Sequence, residues 1–205
     1  MNRTKRELLS KLGVFLQEQF LDSDTCKLLH EQMQVSDHII GKVYEKNVPV
    51  VNFERRITDI KKVTEAVAST VGQRLSGNLG IIEQFFRCGP LTLSIRPRFL
   101  EYKTGYFNKP HADRNESNCA PIEIRRREIT FVCFVNPQSK NPVPGTYGGG
   151  NLVLYGLFPN EALKNQGWPI AERPGTLVAF RSSVLHEVQR VTHGTRFVVT
   201  GHYAL

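Results

Sequence analysis

The first part of the chain repeats apolar residues every three or four positions, with lysines, arginines and glutamates between them. This spacing predicts amphipathic helices over residues 4–35 that pack on a sheet rather than lie on a membrane. Asp22 or Ser23 is placed to cap the second of them. Another helix is predicted over 58–76, with Thr58 as its cap. The apolar stripe of the first helix consists of Leu8, Leu9, Leu12, Phe15 and Leu16.

The pattern changes after about residue 85, where runs of β-branched and aromatic residues alternate with turns rich in proline and glycine. Helices followed by strands are typical of an α+β fold, and many short strands with long connections favour a jelly roll. We expect one domain over 1–205, with mainly helical support at 1–85 and a jelly-roll core at 86–205. The predicted strands are LTLSI at 91–95, ITFVCFV at 129–135, NLVLY at 151–155, TLVAF at 176–180 and RFVVTGHY at 196–203.

Composition adds a preference for anionic partners. Lysine and arginine number 27 against 19 aspartates and glutamates, a formal charge of +8, which favours either an acidic partner or general solubility. The four cysteines form no CxxC pair, so we expect reduced thiols and a cytoplasmic protein. The chain begins without a hydrophobic leader and has no apolar stretch of about 18 residues, so we expect neither secretion nor a membrane span.

His111-Ala112-Asp113 is the first candidate for metal chemistry. Residues i and i+2 of a strand point to the same face, so His111 and Asp113 are expected to supply two adjacent ligands. His186 follows the predicted strand at 176–180 and is the candidate third ligand. Two imidazoles and one carboxylate are suitable donors for Fe(II) and leave room for a bidentate oxoacid and dioxygen.

Arg196 is the candidate anchor for the far carboxylate of 2-oxoglutarate. It begins the predicted strand at 196–203, ten residues after His186, and arginine offers a permanent charge with two parallel donors. Tyr102 is placed to bond the same carboxylate, with a core aromatic as the alternative. Thr130 shares a strand face with Val132 and is expected either to line the cosubstrate pocket or only to pack.

Two other interpretations of these residues stay open. A zinc hydrolase uses the same donor types, although neither an H-E-x-x-H motif nor a neighbouring general base is present. A binding or structural jelly roll without catalysis would tolerate the loss of His111 or His186. The other histidines have no partner at ligand spacing, and we expect surface positions for His30 and His38, a turn for His193 and a packed strand position for His202.

Taken together, four segments in order resemble the catalytic core of prolyl 4-hydroxylase-type Fe(II)/2-oxoglutarate dioxygenases, over roughly residues 90–203. The resemblance implies a double-stranded β-helix that holds Fe(II) with His111, Asp113 and His186. It also implies that 2-oxoglutarate binds the metal and Arg196. The segments are YKTGYFNKPHAD, RREITFVCFVN, GGGNLVLYG and PGTLVAFRSSVLHEVQRVTHGTRFVVTG.

The activity implied is hydroxylation of an unactivated C–H bond with O2, with ascorbate as a candidate accessory cofactor. The candidate substrates are a prolyl or peptidyl residue and a free amino acid or small natural product, including an acidic one. An AlkB-type nucleic-acid demethylase would share the metal ligands and explain the basic charge. Those enzymes carry an R-x-N-x-T-x-R pattern that RFVVTGH lacks, so neither nucleic acid nor membrane is expected as a partner.

Overall fold

The computed structural model describes residues 3–45, 48–94 and 96–205 and consists of helices packed on antiparallel sheets. The helices lie mainly in the first half of the chain, and the long strands lie in the second half. The α+β prediction is therefore confirmed at this level.

The segment up to residue 86 contains strands as well as helices, so it is less uniformly helical than predicted. Several of its strands are built into the sheets of the core. Its described elements are α1 (Arg3–Lys11), β1 (Phe15–Gln17), α2 (Ser23–Val35), β2 (His38–Ile40), β3 (Val43–Glu45), β4 (Val48–Val50), β5 (Arg56–Ile57), β6 (Asp59–Lys61), α3 (Glu65–Gly77) and α4 (Leu79–Phe86).

The rest of the chain is dominated by strands, with one short helix and one 3-10 turn at Glu161–Leu163. The longest strand closes the chain and pairs with four others. The elements are β7 (Thr92–Leu93), β8 (Arg98–Lys103), β9 (Phe107–His111), α5 (Ile122–Arg125), β10 (Arg127–Phe134), β11 (Tyr147–Gly149), β12 (Leu152–Leu154), β13 (Trp168–Ile170), β14 (Leu177–Arg181), β15 (His186–Val188) and β16 (Val191–Ala204).

Two sheets build the core. The major sheet has the strand order β1-β14-β10-β16-β8-β6-β2, with β7 and β11 also paired to β16. The minor sheet has the order β13-β12-β15-β9-β5, and β3 and β4 form a separate two-stranded ribbon. All pairings between named strands are antiparallel.

The major sheet is buried on both faces, which explains why its central strands are continuous apolar runs. On β10, Phe131 and Cys133 pack with residues of α2, α3 and α4. Val132 and Phe134 of the same strand pack with residues of the minor sheet such as Leu154. The order of layers is therefore helices, major sheet, minor sheet, and the space between the two sheets is where the candidate site lies.

The predicted first helical region is interrupted by a strand. Helix α1 ends at Lys11, and Gly13 adopts a left-handed φ of 79° that an L-residue rarely takes. Phe15 then pairs with Ala179 of β14, so Phe15 and Leu16 extend the major sheet. Phe15 packs on the helix side of that sheet and Leu16 on the other, which an adjacent apolar pair allows in a strand.

The predicted helix at 58–76 begins later than expected. Its N-cap is Thr64, and Thr58 is wrong as a cap because it lies in an extended segment whose hydroxyl donates to the Glu101 carbonyl at 3.0 Å. Asp22 is confirmed as the cap of α2, since its side chain accepts a hydrogen bond from the Thr25 amide at 2.8 Å.

The strand predictions in the second half are confirmed in β10, β12, β14 and β16, with ends shifted by one to five residues. The predicted strand at 91–95 is reduced to β7, and Ile95 lies outside the described residues. No helix in the described ranges combines the length and the apolar character that crossing a bilayer requires. All four cysteines are free thiols.

Candidate metal centre

One face of the major sheet collects side chains that are far apart in sequence, because alternate residues of a strand point the same way. On β16, Phe197 packs toward the helices, whereas Arg196 and His202 line a cavity between the sheets. Strand register then places Thr130 of β10 opposite His202, and Tyr102 of β8 opposite Arg196. The alternation that the sequence showed in these strands therefore selects the residues of the site.

His111, Asp113 and His186 converge at one end of this cavity. His111 ends β9 and His186 begins β15, and the two residues are direct cross-strand partners with ring centroids 4.3 Å apart. The Asp113 carboxylate oxygens lie 3.7 Å from Nε2 of His111 and 3.4 Å from Nε2 of His186. One potential ligand atom from each residue lies within 4.8 Å of the others, which is the separation expected around a single cation.

Backbone carbonyls orient both imidazoles toward this common point. Nδ1 of His111 lies 2.8 Å from the Lys109 carbonyl, and Nδ1 of His186 lies 2.9 Å from the Val184 carbonyl. Since a carbonyl only accepts, each Nδ1 carries a proton, and Nε2 is the ring nitrogen that faces Asp113 and is placed to bind a cation. A second hydrogen bond that fixes the tautomer in this way is the usual companion of a metal-bound histidine.

Asp113 is held in place from two sides. Its backbone amide donates to the Ser182 carbonyl at 2.9 Å, and its Oδ2 accepts from the Thr130 hydroxyl at 2.8 Å. Burial alone would raise the pKa of Asp113, but the neighbouring His202 and His186 outweigh burial and hold the pKa well below its usual value. The carboxylate is therefore ionised and available as an anionic donor at neutral pH.

The two candidate histidine ligands differ in their electrostatics. Burial, reinforced by the charge of His186, lowers the pKa of His111 to about 4. Burial also acts to lower the pKa of His186, but the Asp113 charge and its hydrogen bond raise it above the ordinary value. An uncharged His111 beside an ionised carboxylate is a donor set that fits a divalent transition metal.

His202 is a neighbour of the site that sequence reasoning missed. It was expected to pack in its strand, yet its Nε2 lies 3.2 Å from Oδ2 of Asp113 and it is only 6% exposed. The alternation Arg196, Val198, Thr200, His202 along one strand was the available signal. His202 thus shares with Thr130 the task of orienting the Asp113 carboxylate.

The predicted positions of the other histidines agree with the structure only in part. His38 is exposed, as predicted. His30 is half-buried, with its ring 5.2 Å from that of Phe197, so the predicted surface position is wrong. His193 lies within the long strand β16, where Gly148 of β11 pairs with it, rather than in a turn.

Arg196 carries an uncompensated charge in the interior. Its side chain is 0% exposed, and none of its three guanidinium nitrogens makes a well-formed hydrogen bond within the described chain. Its neighbours are the rings of Tyr102 and Phe134, each 5.4 Å from the guanidinium carbon. Tyr147 also lies beside it: burial raises the pKa of Tyr147, and the charge of Arg196 and its side-chain contact with the phenol oppose that rise. A buried cation with free donors fits an anionic ligand.

A single cavity joins this cation to the three candidate ligands. Arg196, Tyr102 and Thr130 line it together with His111, Asp113 and His186. All six residues singled out in the sequence are therefore brought to one space between the sheets. Thr130 is placed differently from expectation in one respect, because its hydroxyl is engaged with Asp113 and with Ser182, 3.0 Å away.

The Thr130 hydroxyl offers a direct test of how Asp113 is oriented. We expect Thr130→Val to weaken Mn(II) or Fe(II) binding by about 10- to 100-fold, as loss of a bond to a metal ligand does. Thr92→Val is the matched control, since it removes a strand hydroxyl that donates to the Ala204 carbonyl away from the site. Metal titration of the purified variants measures both effects, and equal affinities in the two variants would show that Thr130 only packs.

The sequence is similar to known proteins over the part of the chain that contains the candidate site. Residues 97–204, more than half of the chain, match the model of the 2OG-Fe(II) oxygenase superfamily. A PKHD-type hydroxylase of Picosynechococcus is 31% identical over 114 residues, covering 53% of this chain and 44% of the relative. A PKHD-type hydroxylase of Maricaulis maris is 30% identical over 137 residues, covering 67% and 52%. The chain therefore spans about half the length of these relatives.

Solved structures share the fold over nearly the whole chain. A prolyl-4-hydroxylase of Pseudomonas putida aligns with a TM-score of 0.67 and 18% identity, covering 97% of this chain and 95% of that one. A prolyl hydroxylase of Trichoplax adhaerens, solved with a peptide fragment of a hypoxia inducible factor, aligns with a TM-score of 0.66 and 21% identity, covering 98% and 91%. On the match to residues 97–204, this chain belongs to the 2OG-Fe(II) oxygenase superfamily.

Proposed function

We propose that this protein hydroxylates an unactivated C–H bond with Fe(II), 2-oxoglutarate and O2, and that its two facing sheets form a double-stranded β-helix around the site. The observation that carries the proposal is one cavity that contains both a His-Asp-His cluster and a buried arginine with free donors. A cation site and an anion site in one cavity fit a metal together with a dicarboxylate.

In this proposal each residue has a distinct role. Nε2 of His111, Nε2 of His186 and the Asp113 carboxylate would hold the iron. Arg196 binds the far carboxylate of 2-oxoglutarate, and Tyr102 stacks beside the guanidinium and lines the path between the two. Thr130 and His202 keep the Asp113 carboxylate in one orientation. Bound iron supplies the activation of O2 that converts 2-oxoglutarate and a C–H bond to succinate, CO2 and an alcohol.

Asp113 would take a ligand position that a halide could otherwise occupy, so its presence favours hydroxylation over halogenation. The surrounding apolar residues, including Leu100 and Val198, exclude water from the cosubstrate end of the cavity. The substrate is proposed to reach the metal from a cleft that adjoins the cavity and shares His111, Asp113 and His202 with it. Both a peptidyl residue and a small molecule fit access from this side.

The experiment that tests the proposal starts from the purified chain with Fe(II), ascorbate, 2-oxoglutarate and air. We expect succinate to form at a slow basal rate that stops on chelation with EDTA. Incubation with proline-containing peptides and with metabolite pools is expected to give products heavier by one oxygen atom in mass spectrometry. A protein that neither binds 2-oxoglutarate in the presence of metal nor forms succinate would contradict the proposal.

A further inference from the structure

The cleft outside the candidate metal centre is strongly cationic. Among the residues that line it, Asp113 is the only carboxylate, and that side chain already faces the two histidines. Its permanently charged residues come from distant parts of the sequence and from both sheets. These residues are Lys42, Arg55, Arg56, Arg98, Lys109 and Arg127.

Three of these arginines are half-buried and converge from three strands. Arg98 begins β8 and Arg127 begins β10, both in the major sheet, while Arg56 begins β5 in the minor sheet. Arg56 and Arg98 also line the inner cavity that contains Asp113 and His202. The three guanidinium groups therefore border the passage from the cleft to the metal centre, and we call Arg56, Arg98 and Arg127 the arginine cluster.

The arginine cluster makes no close ion pair within the described chain. Within the described ranges, none of its members has a carboxylate oxygen within 4 Å. Arg56 and Arg127 each donate a long hydrogen bond to a backbone carbonyl, that of Lys42 at 3.4 Å and that of Asp113 at 3.3 Å. The Nε atoms of Arg56 and Arg127 are buried without a hydrogen-bond partner.

Several arginines elsewhere in the chain are paired. Arg96, two residues before Arg98, is exposed and bonds Glu65 at 2.8 Å. Arg114 pairs with Glu128 at 2.5 Å, and neither residue lines the cleft. Arg87, which has no carboxylate partner in the described part of the chain, is exposed to solvent, whereas the members of the arginine cluster are half-buried together in one cleft.

Keeping these charges together has an electrostatic cost. Burial lowers the pKa of Arg98, and the like charges of Arg127 and Arg56 lower it further, while Asp113 and Tyr44 partly oppose the shift. Half-buried like charges with free donors destabilise the ligand-free protein, and an anionic group bound between them removes that cost.

The shape of the charged region selects among anions. A nucleic-acid backbone requires a row of cations along an extended surface, because it presents one phosphate after another. Here the charges are gathered in one concave cleft that ends at the metal centre. We propose that the substrate is an acidic small molecule whose carboxylate or phosphate is held by the arginine cluster beside the iron. This inference rests on the proposed function, since it names the substrate class of that site.

The test uses inorganic phosphate and, separately, acetate as probes of the cleft. The full chain is loaded with Mn(II) and saturating 2-oxoglutarate, so that turnover does not occur and Arg196 is already engaged. Thermal unfolding is then followed as each probe is added, because a ligand that binds the folded state raises the Tm by mass action. We expect both probes to raise the Tm, and the stronger of the two identifies the anionic group that the cleft prefers.

Arg98→Gln is the diagnostic variant and Arg96→Gln its matched control. We expect Arg98→Gln to raise the apparent Kd for the preferred probe at least about tenfold, as loss of a charge-assisted contact does. Arg96→Gln is expected to leave the Kd unchanged. Arg127→Gln provides a second variant in case Arg98→Gln does not fold, as judged by circular dichroism.

The outcomes separate this inference from the proposed function. Absence of Mn(II)-dependent stabilisation by 2-oxoglutarate contradicts the proposed function. If 2-oxoglutarate binds but neither probe raises the Tm, or if Arg98→Gln and Arg96→Gln behave alike, the arginine cluster is not an anion site. A nucleic-acid oligomer that binds more tightly than any small anion, and competes with it, would also overturn the inference.

Discussion

Replacing His111 by alanine is expected to abolish 2-oxoglutarate turnover while the fold survives. His111 is half-buried at the end of β9, and its Nε2 is one of three potential ligand atoms that lie within 4.8 Å of one another. Changes next to a metal ligand lower affinity or activity by about 10- to 100-fold, so removal of a ligand is expected to lower turnover by more than about 100-fold. Succinate formation at saturating 2-oxoglutarate measures the loss of turnover. A metal titration tests whether weaker metal binding causes this loss.

His38→Ala is the matched control for this prediction. His38 lies on β2, an edge strand of the major sheet, whereas His111 lies in the minor sheet. The His38 side chain is 46% exposed, and its Nε2 lies 3.9 Å from Oδ2 of Asp59. We expect wild-type turnover in this variant and an unchanged circular dichroism spectrum in both. Succinate formation by His111→Ala at the wild-type rate would remove His111 from the metal site and with it the proposed ligand set.

The sequence predicted the strands of the second half well, because their patterns are local. Continuous β-prone runs such as residues 129–135 reflect burial on both faces, and the structure places β10 between the helices and the minor sheet. The H-x-D pair was accessible as a spacing, although β9 ends at His111 and Asp113 lies in the bend that follows, so strand alternation is not what places the carboxylate. Features of this kind depend on a few consecutive residues and need no knowledge of the partner strand.

Features that depend on contacts with distant segments of the chain could not be predicted from the sequence in the same way. Phe15 and Leu16 fit a helical stripe in the sequence. In the structure the helix ends before Gly13, and pairing with β14 places both residues in the major sheet. Thr58 resembled a cap, but its hydroxyl is bound by the carbonyl of Glu101, 43 residues away. In both cases a long-range backbone contact outweighed the local helical preference.

The role of His202 in the site also depends on a long-range contact that the sequence does not predict. Its position on the face of Arg196 follows from strand alternation, but its closeness to Asp113 depends on how β9 and β16 meet across two sheets. The arginine cluster is a similar case. The formal charge of +8 fitted either an anionic partner or general solubility, and only the fold shows that Arg56, Arg98 and Arg127 lie beside one cleft.

Arg196→Met is expected to weaken 2-oxoglutarate binding and to stabilise the ligand-free protein. Loss of a charge-assisted contact to a carboxylate is expected to raise the Kd for 2-oxoglutarate at least about tenfold. The same change removes a fully buried guanidinium without a good hydrogen bond, so the free energy of unfolding is expected to rise by about 1–3 kcal/mol. Titration with Mn(II) present measures the first effect, and urea denaturation without ligand measures the second.

The opposite signs of these two effects distinguish a ligand-binding arginine from a structural one. A structural arginine would lose stability on replacement and leave the Kd unchanged, and that result would remove Arg196 from the cosubstrate site. Arg173→Met is the control, because Arg173 is exposed and does not line the cavity that contains Arg196. It is expected to change stability by less than about 0.5 kcal/mol. Arg196→Lys keeps the charge without the paired donors and is expected to bind 2-oxoglutarate with intermediate affinity.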